Sequence, residues 1–313
     1  MRSVEELYTR EARLMGCQFS FGVVAADPVK AAAWLDLAVA EMQRIERLLT
    51  VFDPASEVSQ VNAQAGLSPV KVSPEVYALI GRCQTISRLS QGAFDLTAGA
   101  LQALYQFKRG EQPMPDRATR AEALRRTGYQ HIRLLPPDQV MLVRTGMRIG
   151  FGAVGKGYGA DATRKILTAA GVRSGWINAS GDLTAWGTSP GGAPWRVGIA
   201  NPRQPDQVLH WLPVDGTAVA TSGDYEQYVT IGGVRYAHTV NPRTGYPVRG
   251  VQSVTIVSPS AELSDALATA VTVMGPQAGL YLIDQLPDTH CLVIDEKDVV
   301  YSSRNLTFIP PPA

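Results

Sequence analysis

An excess of charge, cysteine and long apolar runs are all scarce in this 313-residue chain, and each scarcity excludes something. Lysine and arginine number 29 against 28 acidic residues, a formal net charge of +1 with no long basic run. Without a positive field, nucleic acid and anionic membrane surfaces make poor main partners, and small molecules or protein surfaces fit better. Cys17, Cys83 and Cys291 are too far apart and too few for a disulfide framework or a cysteine metal site, so they are expected to fill core. No apolar run reaches the roughly 18–20 residues that span a bilayer. Leu14-Met15-Gly16-Cys17 has the shape of a lipoprotein cleavage box, but the charged run RSVEELYTREAR precedes it where an apolar segment belongs. The expected location is therefore the cytoplasm as written, or the periplasm if an N-terminal signal has been trimmed. Apolar residues make up 45% of the chain, enough at this length for a full core in one domain spanning 1–313 or in two closely packed lobes, with 310–313 a disordered tail.

What is abundant is glycine in one place. RIGFGAVGKGYGAD, Arg148 to Asp161, holds five glycines and a lysine between an expected strand and an expected helix over 156–170. Glycines there let the backbone turn with positive φ and approach a ligand, and the helix N-terminus suits an anion such as phosphate. Gly150, Gly152 and Gly155 spell G-x-G-x-x-G, yet hairpins precede them and no acidic residue follows about 20 positions on to hold a ribose. Gly150, Gly155 and Lys156 spell most of a P-loop, but Gly157 stands where a magnesium-binding hydroxyl belongs. A tight strand-to-helix turn with a surface lysine is an equal alternative.

Elsewhere the chain alternates helices and short strands. Gln18 to Ala25 reads as a strand, and Asp27-Pro28 caps a helix to Leu49 whose apolar stripe is Trp34, Leu37, Ala38, Met42, Ile45, Leu48 and Leu49. Thr50 to Gly66 reads as a long polar loop, Ser73-Pro74 as the start of a helix ending near Gly92, and Arg117 to Thr127 as another helix. His131 to Leu135 and Gln139 to Arg144 form a hairpin that turns at Thr145-Gly146 into Met147 to Ile149. Eight short strands between Trp176 and Val257, punctuated by Gly, Pro and Asp, predict antiparallel sheet. Helices follow over 264–274 and 276–285, then a hairpin over 292–303.

Three features can carry chemistry. Asp265 and Thr269 lie one turn apart on one helix face, so with a glycine-turn carbonyl they offer the oxygen donors magnesium accepts. Equally, the aspartate can serve the helix dipole and the threonine can bond back to its own helix. His238 is the one histidine in a polar turn cluster, either a general base near neutral pH or a structural hydrogen-bonder. Phe94-Asp95 sits at a break between helices, either a ligand contact or a buried ring beside a cap. Together these describe a phosphoryl-transfer or nucleotide-pyrophosphate enzyme.

The order of the clusters goes further. Met15-Gly16, Phe52-Asp53-Pro54-x-Ser56-Glu57-x-Ser59-x-x-Asn62, Gly92-Ala93-Phe94-Asp95-x-Thr97, Gly152-Ala153-x-Gly155-Lys156-Gly157-Tyr158, Thr221-Ser222-Gly223-x-Tyr225, His238-x-x-Asn241-Pro242-x-Thr244-Gly245 and Asp265-Ala266-Leu267-Ala268-Thr269 run in register over most of the chain. In this the chain resembles the ApbE family, the FAD:protein FMN transferases. The resemblance implies an α+β fold, T-fold-like, with a largely antiparallel sheet and packed helices. It implies magnesium-dependent transfer of FMN from FAD to a threonine of an acceptor protein as a phosphoester, releasing AMP. An FAD pyrophosphatase giving FMN and AMP, or a non-catalytic FAD-binding protein, are the alternatives. By motif match Ala153, through its carbonyl, with Asp265 and Thr269 would hold Mg2+, Met15, Phe52, Ala93, Phe94, Asp95 and Lys156 would line the FAD site, and His238 would assist transfer. Phe52 replaces a frequent tyrosine, Gly150 a frequent aspartate, Ser180 a frequent glycine and Asn241 a frequent aspartate.

Overall fold

The computed structural model describes residues 5–107, 111–201, 203–223 and 228–308. Two expectations fall outside these: the proline-rich tail at 310–313, and Asp224-Tyr225 of the cluster that begins at Thr221.

In chain order the elements are β1 (Glu6–Leu14), β2 (Cys17–Ala25), α1 (Pro28–Leu49), α2 (Glu57–Ala63), β3 (Val70–Lys71), α3 (Pro74–Leu89), a 3₁₀ turn (Leu96–Ala98), α4 (Gly99–Gln102) and α5 (Arg117–Arg125). There follow β4 (Ile132–Leu135), β5 (Gln139–Leu142), α6 (Gly155–Ala169), β6 (Gly175–Ala179), β7 (Asp182–Trp186), β8 (Trp195–Asn201), β9 (Gln204–Val214), β10 (Ala218–Gly223), β11 (Tyr228–Ile231) and β12 (Val234–Ala237). β13 (Val251–Ser258), α7 (Ala261–Met274), α8 (Pro276–Ile283), β14 (His290–Asp295) and β15 (Val300–Ser302) complete the chain.

Among the described residues eight strands form one sheet in the order β1-β2-β6-β7-β10-β13-β14-β15. Each pairing in it is antiparallel, as the short punctuated strands predict. Because side chains alternate along a strand, the sheet sorts its apolar residues to two faces. Val254 and Ile256 of β13 and Cys291 and Val293 of β14 enter the main core with α3, α7 and α8. Val257 and Leu292 point the other way, into a smaller core with Ile199, Leu212 and Val214 of the β8–β9 hairpin. α1 and α6 cover β2 and β6 through Ala38, Met42, Ala160 and Leu167 packed on Phe19, Phe21 and Ile177. A third small core joins Leu101 and Tyr105 to Val229, Ile231 and Val240.

Helix starts follow the cap chemistry. Asp27 accepts from the amides of Val29 and Lys30, with Pro28 in the first turn, and Ser73 caps α3 in the same way. A cap of this kind is worth about 1 kcal/mol. The structure departs from the sequence reading in several places, and four of them have a clear local cause. Glu6–Leu14 forms an edge strand that the charged run concealed, its side chains largely at the surface, as suits an unpaired sheet edge. Glu57–Ala63 is helical where a loop is predicted: Ser56 caps it, but only Val58 and Val61 are buried, too short a stripe to register as a period. Met147 to Ile149 is not a strand, because Asn62 supplies the ladder bonds itself, its Nδ2 donating to Ile149 O at 2.9 Å and its Oδ1 accepting from Ile149 N at 2.7 Å. α7 starts at Ala261, three residues before the predicted Ser264, so Asp265 lies in its second turn. No helix among the described residues is long and apolar enough to cross a membrane.

Candidate active site

The glycine-rich stretch does lead into a helix, but its glycines act differently from expectation. None of Gly150, Gly152, Gly155, Gly157 or Gly159 has positive φ. What glycine supplies is closeness at Gly157, where a Cβ would lie 2.1 Å from Ala261 O and 2.9 Å from Asp265 Cβ. α6 and α7 therefore touch backbone to backbone. Gly157 is in the first turn of α6, where an N–H has no acceptor in its own helix. It donates instead to Asp265 Oδ2 at 3.1 Å.

One residue before Gly157, Lys156 reaches out to an ion pair with Asp182 Oδ2. Asp182 is 2% exposed, and its other oxygen accepts from Thr221 N at 3.2 Å. The Thr221 hydroxyl in turn bonds the Thr255 hydroxyl at 2.9 Å. Asp265, only 7% exposed, is a second buried carboxylate near enough for its charge to act on Lys156. Burial, then the nearby Asp182 charge, pushes the Asp265 carboxyl up to about 7, against the pull of Lys156 and the Gly157 amide. Asp182 is raised by burial too, with Lys156 opposing. For Lys156, burial works against the charge, but Asp182 and Asp265 outweigh it and hold the ammonium protonated. The group is short of positive charge.

Asp182 is the site residue that motif matching did not assign. It follows the β6–β7 turn, in which Ser180 (φ +56°) and Gly181 (φ +102°) are both left-handed and Asn178 Oδ1 accepts from Gly181 N. Two positive φ angles are what a two-residue hairpin of the right twist needs. Serine in this left-handed position carries a strain of roughly 1–2 kcal/mol that glycine would avoid. The sequence signal was the polar turn itself; the partner across 26 residues was not visible.

Of the expected magnesium residues, Asp265 and Thr269 share one face of α7, and Ala153 lies just before α6. The Thr269 hydroxyl has no protein partner among the described residues, unlike Thr272, which bonds back to Ala268 O at 2.8 Å. No backbone N–H is found on the Ala153 carbonyl among the described residues.

The expected FAD residues divide. Phe52 is 92% exposed and lines a cavity of about 270 Å³ with Val51, Pro54, Asn62 and Arg148. Met15 is half-buried beside α1, its amide donating to Glu46 Oε1 at 2.7 Å. Phe94 is 1% exposed and its ring packs in the main core, the buried-ring alternative for this break between helices. Ala93 is buried as well. The Asp95 carboxylate is committed to protein donors, the Thr97 amide at 2.8 Å, the Thr97 hydroxyl at 2.6 Å and the Tyr129 amide at 2.8 Å. Burial raises its carboxyl while those bonds oppose the shift. The segment still meets the glycine-rich turn through its backbone, Gly150 N donating to Leu96 O at 3.0 Å. His238 directly follows β12 and stands edge-on to Phe107, ring centroids 6.5 Å apart, beside the third small core.

Comparison with known proteins places this geometry in a lineage. A family model described as the ApbE family matches residues 15–293. The FAD:protein FMN transferase of Treponema pallidum is 31% identical over 304 residues, 92% of this chain and 84% of that relative. An FAD:protein FMN transferase of Klebsiella pneumoniae is 31% identical over 313 residues, 98% of this chain and 96% of that relative. The crystal structure of an ApbE protein from Thermotoga maritima matches with a TM-score of 0.87 at 32% identity, covering 96% of this chain and 97% of that one. The apo form of the Pseudomonas stutzeri flavinyl transferase ApbE matches with a TM-score of 0.85 at 29% identity, covering 97% and 96%.

Proposed function

The chain belongs to the ApbE family, and from that footing we propose that it is a flavin transferase moving FMN from FAD onto a threonine of an acceptor protein, with magnesium and release of AMP. The buried group of Lys156, Asp182 and Asp265 carries the reading. Two buried carboxylates lie beside one lysine, both raised by burial, and a bound dication would hold such carboxylates in their ionised form. The donors fit magnesium: the Asp265 carboxylate, a Thr269 hydroxyl with no protein partner among the described residues, and the Ala153 carbonyl are all hard oxygens. When bound, magnesium supplies charge neutralisation at the pyrophosphate.

The remaining steps fall to the chain's own groups. Lys156, held protonated, presents a cation at the N-terminus of α6, where helix amides also favour phosphate. Phe52, exposed beside its cavity, offers a ring face to the isoalloxazine. The threonine hydroxyl attacks the FMN phosphorus, the bond to the bridging oxygen breaks, and AMP leaves with that oxygen. The hydroxyl proton passes to a neutral imidazole nitrogen of His238, a role worth on the order of 10² to 10⁴ in rate.

The test is mass analysis after incubation with FAD, Mg2+ and a candidate acceptor, for the wild type and Asp265→Ala. An FMN adduct on the acceptor, absent with Asp265→Ala, is the expected result. Free FMN and AMP with no adduct would make the protein a pyrophosphatase, and intact FAD throughout would leave it a binding protein.

A further inference from the structure

α7 carries both Asp265 and Thr269, so their place is set by where α7 begins and how it is rotated. Its N-terminus is capped twice. Ser260 provides the local cap, its Oγ accepting from Leu263 N at 3.2 Å. The second cap comes from α6. The Asp161 carboxylate accepts from Ser260 Oγ at 2.7 Å, Ala261 N at 3.0 Å and Glu262 N at 2.9 Å. Those amides are among the donors a helix leaves unserved at its start, and a carboxylate there complements the dipole.

Asp161 lies one turn beyond Gly157 on the same face of α6. Gly157 is where the two helices meet backbone to backbone and where Asp265 receives its amide bond. α6 therefore grips α7 at two points about 6 Å apart: Asp161 holds residues 260–262, and the Gly157 amide holds Asp265. Two such contacts fix both the sliding and the rotation of a stiff helix. α3 tethers the same end independently, through the ion pair of Arg82 with Glu262 at 2.8 Å, so loss of the Asp161 charge would shift α7 without releasing it.

We propose that Asp161 is a positioning residue for the transfer site, holding α7 in the register that presents Asp265 and Thr269 to the metal. This rests on the metal reading of Asp265. In Asp161→Asn the side-chain amide would face the Ala261 N–H donor and leave the carbonyl oxygen to Ser260 Oγ and Glu262 N, so one bond and the charge go while the volume stays. Partners that orient metal ligands typically account for 10- to 100-fold in affinity.

The experiment measures Mn2+ binding to the purified full chain without FAD, by electron paramagnetic resonance, and separately the Mg2+ dependence of FMN transfer. Asp161→Asn should bind Mn2+ at least ~10-fold more weakly, need correspondingly more Mg2+ for half-maximal transfer, and recover most of its kcat at saturating Mg2+. A variant that melts earlier but keeps wild-type Mn2+ affinity and Mg2+ dependence would make Asp161 a stability cap and overturn the proposal. Should Asp161→Asn not fold, Ser260→Ala removes one of the three bonds together with the local cap on Leu263 N and should move Mn2+ affinity in the same direction; no movement overturns the proposal. A wild type that binds no Mn2+ fails differently: it removes the metal reading itself.

Discussion

Gly157→Ala puts the closest helix contact in the protein chain's proposed site under direct strain. The added Cβ would lie 2.1 Å from Ala261 O, 2.5 Å from Ala261 C and 2.9 Å from Asp265 Cβ. Two of these atoms are backbone of α7 and have no rotamer to escape into, so the helices must part by about 1 Å, an overpacking that costs ~1–3 kcal/mol. That movement stretches the 3.1 Å Gly157–Asp265 bond beyond hydrogen-bond range, leaving a buried carboxylate one donor short for another ~1–3 kcal/mol. Alanine returns ~1 kcal/mol of helix propensity, so the net loss should be ~1–5 kcal/mol. Gly159→Ala is the control, two residues on in the same helix. Its Cβ would meet Met42 Sδ at 2.6 Å, the end of a flexible side chain, and the loss should be smaller. Urea unfolding of both variants, followed by circular dichroism, makes the comparison. Equal midpoints for Gly157→Ala and Gly159→Ala would refute the close-contact argument.

The two phenylalanines should separate cleanly. Phe52→Ala should leave stability within ~0.5 kcal/mol of wild type while weakening FAD binding measured by flavin fluorescence, whereas Phe94→Ala should cost ~3–5 kcal/mol; a large stability loss from Phe52→Ala would contradict its exposure. Lys156→Met strands Asp182 in the interior, and losing one partner of a buried pair costs ~3–5 kcal/mol. Since burial already raises that carboxyl, the loss should be smaller at pH 5, where it can take up a proton, and grow as pH rises to 8; a loss independent of pH in urea melts would count against the pairing. Cys83 and Cys291 are fully buried, and burial pushes their thiols up, so a disulfide reagent should find at most one thiol, Cys17, in the native protein and three after unfolding in guanidinium.

Local chemistry made much of this protein legible before any coordinates. Asp27-Pro28 and Ser73-Pro74 mark the starts of α1 and α3 because capping and proline preference act within a few residues. Strand alternation and turn residues mark the hairpins from β4 to β14, and the ordered motifs from Met15 to Thr269 carry the family. What sequence could not show were the groups whose meaning depends on a distant neighbour. Asp182 is an ordinary turn aspartate until β7 brings it against Lys156, and Asp161 an ordinary helix aspartate until α7 starts above it, about a hundred residues later. Phe94 stayed open in the sequence for the same reason, since a ring in a turn-rich stretch is core or pocket according to what packs on it. Periodicity and caps report forces that act along the chain. Which carboxylate shares a lysine, and which glycine must stay bare, is decided by helices and strands that meet only after the chain has folded.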